Sequence, residues 1–300
     1  MNSTLALDAN PKSSSPPRPG GAGTAFGCRR DFLDNRFIYT VISPRARGLS
    51  VGVNMNPDRF CNFDCVYCEV NRREPVSETR LDVAAMTAEL SRTLELVHSG
   101  RIRQRPEYQN LPEELLQLRH VALSGDGEPT FCPNFADAVE AVVHLRASGG
   151  FPFFKLVLIT NASGLDRPEI EPGLRLFTSH DEIWAKLEAG SEDRFQRINK
   201  ADCTLEKVLG NILALARRRP VVIQSLFPAE GSGAPPPAEI EAYVQRLAEL
   251  KAAGAQIPLV QIYSATRPTP HSTCGHLPLR TLSDIAKRVR EGAGLKAEVF

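Results

Sequence analysis

Short apolar runs alternate along this chain with stretches whose apolar positions recur at helical spacing. Residues 49–54, 120–124, 154–160, 182–187, 221–227 and 259–264 read as strands. Between them, residues 83–97 place Val83, Met86, Leu90, Leu94 and Val97 on one helical face. Residues 136–146, 169–177, 204–217, 237–253 and 282–292 read as further helices. Strands separated by helices imply βαβ crossovers and hence a parallel sheet. Six such repeats are fewer than the eight of a closed (β/α)8 barrel.

Several stretches fall outside this rhythm. Residues 1–25, rich in Ser, Pro and Gly, have too few apolar side chains for a core and read as a disordered tail. Residues 26–300 read as one domain, with a C-terminal extension after about residue 270. The stretch 101–118, with Arg101, Arg103, Arg105 and two prolines, reads as an insertion on the outside of the barrel. The Pro- and Gly-rich stretch 229–237 reads as a long loop between strand and helix rather than a domain linker. Arg217, Arg218 and Arg219 end a predicted helix, where cations suit the negative end of its dipole. Trp184 reads as a core residue.

Composition narrows the class without choosing a function. The chain has 300 residues, 42% hydrophobic and 24% charged, with a net charge of +1. These are values of an ordinary globular protein, and no global field points to nucleic acid or membrane. No apolar run is long enough for a membrane span, and no export signal opens the chain. The seven cysteines, an odd number, form no disulfide-like array, so a reducing cytoplasm is expected.

Three of those cysteines, Cys61, Cys65 and Cys68, lie within one short loop after the first predicted strand, spaced C-x3-C-x2-C. Three thiolates can hold an iron–sulfur cluster while leaving one iron open to a ligand. A zinc knuckle borrowing a remote fourth ligand is the alternative, and buried free cysteines a weaker one, because Asn62 and Asp64 interrupt the group. Loops after strands carry the chemistry of parallel α/β barrels. The second strand is followed by Gly125, Asp126, Gly127, Glu128 and Pro129, a turn that permits close backbone approach to a ligand. Thr160 and Asn161 follow the third. Strand alternation puts Lys186 and Glu188 on one face, where two charges require each other or a ligand. Gln224, Ser225, Tyr263 and Ser264, near the ends of the last two strands, are further candidates. His271, Cys274 and His276 gather two imidazoles and a thiol, either a second site or an incidental loop composition.

The cysteine spacing and the aromatic Tyr67 before the third cysteine are similar to those of the radical S-adenosylmethionine (radical SAM) enzymes. Within them, the stretches 52–57 and 124–130 resemble the wyosine-synthase-like iron–sulfur oxidoreductases, and the resemblance covers roughly residues 36–270. The resemblance implies an α/β fold, an open partial (β/α)6 TIM-like barrel. It implies a [4Fe-4S] cluster on Cys61, Cys65 and Cys68, with S-adenosyl-L-methionine (SAM) on the open iron. Tyr67, Gly127, Glu128, Asn161, Lys186 and Glu188 are carried over as cofactor-binding residues, Glu188 toward the ribose and Lys186 toward the carboxylate. Asp126 stands where the family has the first glycine of its Gly-Gly-Glu-Pro motif. Cys274 is a candidate catalytic donor of a hydrogen atom or proton.

The resemblance further implies reductive cleavage of SAM to a 5′-deoxyadenosyl radical that abstracts hydrogen from a substrate. The electron comes from an external donor such as flavodoxin or ferredoxin. A tRNA base, as in wyosine-type modification, is one candidate substrate. Only Cys28 precedes the core, so the second, N-terminal three-cysteine cluster of archaeal wyosine synthases is not expected. Activation of a glycyl-radical partner enzyme and a non-catalytic zinc-binding module are the competing functions.

Overall fold

Strand β1 (Ile38–Ser43) turns back through Arg45 into β2 (Gly48–Asn54), forming an antiparallel hairpin at one edge of the sheet. The structure, a computed structural model, describes residues 32–73, 75–76, 78–230, 233–265 and 274–300. After the hairpin, helix and strand alternate. Helices α1 (Val83–His98) and α2 (Glu113–Leu116) lead to β3 (Leu118–Ser124), and α3 (Phe135–Ala147) leads to β4 (Lys155–Thr160). Helix α4 (Glu171–Arg175) leads to β5 (Glu182–Lys186), and α5 (Glu192–Asn199) with α6 (Leu205–Ala216) to β6 (Val222–Leu226). The two-residue β7 (Ala229–Glu230) and α7 (Pro237–Ala252) precede β8 (Val260–Tyr263). Finally come β9 (Cys274–Gly275), α8 (Leu279–Gly292) and β10 (Ala297–Val299).

The main sheet has the order β1-β2-β3-β4-β5-β6-β8-β10, parallel throughout from β2 onward. It curls into the expected partial TIM-like barrel, with β1 and β10 as its open edges. Strand alternation decides what each face holds. Val51, Val53, Val121, Leu123, Leu156 and Leu158 pack against Met86, Leu90 and Leu94 of α1 and Val139 of α3. Further round, Ile223, Val260 and Ile262 pack against Ile212, Leu247 and Ile285 from α6, α7 and α8. Each such fully buried side chain contributes about 1.5–3 kcal/mol. The other face turns Asn54, His120, Trp184, Lys186, Gln224, Gln261 and Tyr263 to the concave side. Helices therefore cover one face, and the polar face is left for a ligand. No helix among the described residues is long and apolar enough to cross a membrane.

The six predicted strands and the longer helices lie where the pattern places them. Two strands extend the sheet beyond that prediction: β1, whose β-branched run Ile38–Ser43 carries the signal, and β10, too short to carry one. Helix α5 has only Phe195 and Ile198 as apolar anchors, and Ser191 caps it by accepting from the Arg194 N–H. The predicted helix over 169–177 divides into a 3-10 turn (Pro168–Ile170) and the short α4, which contains Pro172 and Gly173. The insertion after α1 forms a satellite cluster, Ile102, Tyr108 and Leu116 against Phe32, Ile42 and Leu49. Tyr108 hydroxyl meets Thr40 Oγ1 at 2.7 Å. Tail residues 1–25 and Cys28 lie outside the described residues.

Candidate active site

The cysteine loop leaves the C-terminal end of β2 and is stitched to the end of α5. The N–H of Asp64 donates to Asn199 O at 3.1 Å, and that of Val66 to Ile198 O at 2.9 Å. The Asp202 N–H returns a bond to Asn62 O at 3.1 Å, and Phe63 stands edge-on to Phe195 at 5.5 Å. All three thiols are half-buried. Burial, with the nearby Glu128 charge, pushes the Cys61 thiol up to about 12. Burial likewise pushes Cys65 to about 11, so ligation must displace protons from these sulfurs.

Each sulfur has a nitrogen donor from a different part of the chain. Asn161 Nδ2 lies 3.8 Å from Cys61 Sγ, Asn199 Nδ2 lies 3.5 Å from Cys65 Sγ, and Arg72 Nη2 lies 3.9 Å from Cys68 Sγ. Donors placed this way suit sulfurs that become thiolate ligands. No three His, Cys, Asp or Glu side chains among the described residues converge on a single-ion position. A four-iron cluster asks for something else, thiolates spread over separate irons, and a half-buried three-cysteine loop with a donor at each sulfur fits it.

The glycine loop after β3 docks on the cysteine loop. Asn54 Nδ2 donates to Asp126 Oδ2 at 2.8 Å, and the Asp126 N–H donates to Asn54 Oδ1 at 2.9 Å. Asp126 thus has a use that a glycine could not serve, and the left-handed turn falls to Gly125, at φ +130°. A Cβ at Gly127 would lie 1.9 Å from Phe60 O, and the next N–H, that of Glu128, donates to the same oxygen at 3.0 Å. The Glu128 carboxylate is buried and accepts from Thr130 N–H (3.1 Å), Thr130 Oγ1 (2.7 Å), Thr160 Oγ1 (2.5 Å) and Asn161 N–H (2.7 Å). Burial raises its pKa even against these four donors. Gly127 and Glu128 therefore lock three loops together.

A charged group fills the concave side next to Cys65. Lys186 Nζ lies 3.5 Å from Glu188 Oε1 and 4.6 Å from the Tyr67 ring centre. Glu188 is 2% exposed, which excludes a surface salt bridge. Burial opposes the Lys186 charge, but Glu188 together with Tyr263, Cys65 and Cys68 carries its pKa above the ordinary lysine value. Burial also pushes the Tyr67 hydroxyl well up. Asn199 Nδ2 reaches Glu188 Oε2 at 2.9 Å and Tyr67 Oη at 3.1 Å. Among the described residues the buried Asn199 Oδ1 has no hydrogen-bond donor, and Glu188 Oε1 has only the Lys186 ammonium at 3.5 Å.

The remaining candidates separate. Cys274 is half-buried against the cluster of Tyr67, Ile198, Leu226 and Tyr263. His276 is exposed, and His271 lies outside the described residues. Gln224 and Gln261 bond to each other at 3.2 Å on the concave face. Ser225 points the other way, to Tyr243 Oη at 2.5 Å, because alternation turns it toward α7. Ser264 Oγ donates to Phe227 O at 2.7 Å. Trp184 is buried, and Arg219 donates to carbonyls of Phe177, Thr178 and Asp181. Asn199 and Arg72 escape a reading of the sequence. Neither sits in a motif, and Asn199 ends a helix that the hydrophobic pattern does not show.

The partial parallel barrel thus carries a three-thiol loop and a charged concave pocket beside it. Residues 55–228, more than half of the chain, match the Radical SAM superfamily, and the chain belongs to that superfamily. Members of that superfamily are enzymes that use a [4Fe-4S] cluster and SAM. Among curated proteins it is similar to a UPF0026 protein of Synechocystis, 30% identical over 58% of this chain and 57% of that protein. It is also similar to one of Methanocaldococcus jannaschii, 25% identical over 58% of this chain and 47% of that protein. The chain spans about half the length of these relatives. A radical SAM methyltransferase from Sphaerobacter thermophilus shares the fold, with TM-score 0.59 and 18% identity over 88% of this chain and 68% of the other. So does TYW1 with a lysine–pyruvate adduct bound, with TM-score 0.55 and 14% identity over 87% of this chain and 86% of the other.

Proposed function

We propose that Cys61, Cys65 and Cys68 ligate the cluster and that the pocket formed by Tyr67, Asn161, Lys186, Glu188 and Asn199 receives SAM. The observation that carries this reading is the buried Asn199 Oδ1 beside Cys65, without a donor among the described residues, next to Glu188 Oε1, which has only the Lys186 ammonium at 3.5 Å. A buried polar atom without its partner costs about 1–3 kcal/mol. A hydroxyl of the SAM ribose is the donor that Asn199 Oδ1 lacks and a further donor for Glu188, and Lys186 faces the SAM carboxylate. Gly127 and Glu128 act by holding the glycine loop against the cysteine loop, so that its backbone carbonyls meet the ligand while the carboxylate stays occupied within the protein. When bound, the cluster and SAM supply a carbon-centred radical that removes a hydrogen atom from the substrate. The chain's own part is to orient SAM, keep water out and present the substrate.

The electron comes from a separate one-electron donor such as flavodoxin or ferredoxin. For the substrate, the wyosine-type resemblance supports a tRNA base. Cys274, close to Tyr67 and Tyr263, stands where a hydrogen atom or proton can be returned to a substrate on the concave side.

Anaerobic reconstitution followed by iron and sulfide analysis tests the cluster, with about four of each expected. Addition of SAM and a reductant should release 5′-deoxyadenosine, faster in the presence of bulk tRNA. A Glu188→Gln protein should keep its iron and bind SAM about tenfold more weakly. A purified protein with neither iron nor sulfide ends the proposal. Equal rates with and without tRNA end its RNA part.

A further inference from the structure

The β1–β2 turn carries Arg45 to the concave side of the barrel, a residue that the radical SAM reading does not use. Its guanidinium lies over the Tyr263 ring, 4.1 Å from the centre. Tyr263 in turn belongs to the same buried cluster as Tyr67 of the cysteine loop. The Arg45 charge also reaches His120 on β3, where with Lys155 it adds to burial in keeping the imidazole neutral.

The other cations around Arg45 are matched. Lys186 has Glu188 at 3.5 Å, Lys155 has Glu182 at 2.6 Å, and Arg47 in the same turn has Glu298 at 2.8 Å. Glu298 also faces Lys296 at 2.8 Å, so each of its oxygens already has a cation. Arg45 makes no ion pair with any described residue, and its Nε is buried without an acceptor. An aromatic face attracts the charge and fixes its plane but accepts none of the five in-plane N–H groups. That planar fork matches the two oxygens of a carboxylate or phosphate.

We propose that Arg45, held in plane by Tyr263, binds an anionic group of the substrate, a carboxylate or a phosphate, on the concave side of the barrel. The inference rests on the reading of that side as the active site and adds the chemical class of what enters it. The ligand it commits to is the substrate rather than SAM, whose carboxylate has Lys186.

The test uses the reconstituted full chain. Its one tryptophan, Trp184, stands edge-on to His120 at 5.3 Å and reports on this interior. Emission is titrated with inorganic phosphate and, separately, with malonate; a saturable change with one of them identifies the oxyanion. Arg45→Gln should weaken that binding by about tenfold or more, and Arg45→Lys by less, while SAM affinity changes by under about threefold. Arg47→Gln, which alters only the exposed pair with Glu298, should titrate like the parent protein. Failure of both anions to bind the parent overturns the proposal, as does unchanged binding in a folded Arg45→Gln. A loss of SAM affinity as large as the loss of anion affinity also overturns it, by assigning Arg45 to the cofactor. Absence of iron and sulfide from the parent would instead defeat the radical SAM reading, with the anion titrations still readable on their own.

Discussion

The backbone N–H of Asn161 donates to Glu128 Oε2 at 2.7 Å, so the glycine loop is fastened to the end of β4 through a buried carboxylate. All four groups around that carboxylate are donors or hydroxyls turned toward it. Glu128→Gln preserves shape but sets an NH2 against at least one of them. The expected loss is about 1–3 kcal/mol of stability, read as a lower midpoint in urea at unchanged slope. An unchanged midpoint would mean that this carboxylate does not brace the loops.

Gly127 offers a sharper separation of packing from chemistry. A methyl there would sit 1.9 Å from Phe60 O and 2.6 Å from Asn56 Cβ, both at the base of the cysteine loop. Gly127→Ala must therefore push the two loops apart, although it removes no polar group. The barrel core lies elsewhere, so thermal unfolding should shift by a few degrees while iron content after reconstitution falls by more than half. Full iron content in Gly127→Ala would contradict the docked geometry.

Why some of this was legible in the sequence follows from where the information lies. Cys61, Cys65 and Cys68 are local in the chain, and so are Lys186 and Glu188, whose alternation alone puts them on one face. The strands β3 to β6 show themselves through the short apolar stretches 121–123, 156–159, 183–185 and 222–223 that they carry. Asn199 and Arg45 belong to the other kind. Asn199 meets Cys65 across more than a hundred residues of chain, and Arg45 meets Tyr263 across still more. Curling of the sheet creates both contacts, and no periodicity announces them. Glu128 was legible as a site residue, but its carboxylate holds Thr130, Thr160 and the Asn161 backbone, a tertiary role that the motif alone does not disclose.

Asn199 connects protein polarity to the cluster loop. Its amide touches Cys65 Sγ at 3.5 Å and Glu188 Oε2 at 2.9 Å, while its own Oδ1 is buried without a donor among the described residues. Asn199→Leu leaves the buried Glu188 Oε2 and Tyr67 Oη without this donor, so the metal-free chain should lose about 1–3 kcal/mol of stability. Hydrogen bonds to cluster sulfurs favour the reduced, more negative state. The reconstituted Asn199→Leu protein should accordingly have a lower reduction potential and a slower release of 5′-deoxyadenosine. A potentiometric titration monitored by electron paramagnetic resonance decides the matter, and an unshifted potential would place the amide away from the ligated sulfur.

His120 makes the barrel sensitive to acid at a point remote from the cysteines. Burial first, then the Lys155 and Arg45 charges, lower its pKa to about 3, while in the unfolded chain it titrates near the usual value of about 6.5. Trp184, packed edge-on against the imidazole, does not titrate. Between pH 7 and pH 5 the unfolded state binds the extra proton and the folded state does not, so stability falls as pH falls. From pH 7 to pH 5 this one group removes about 2 kcal/mol of unfolding free energy, approaching about 1.4 kcal/mol per pH unit. His120→Leu abolishes that share, whatever it costs in packing, and should flatten the pH dependence by the same amount. Urea unfolding at pH 5 and pH 7 for both proteins measures it; parallel losses in the two would mean that His120 is protonated in the folded barrel.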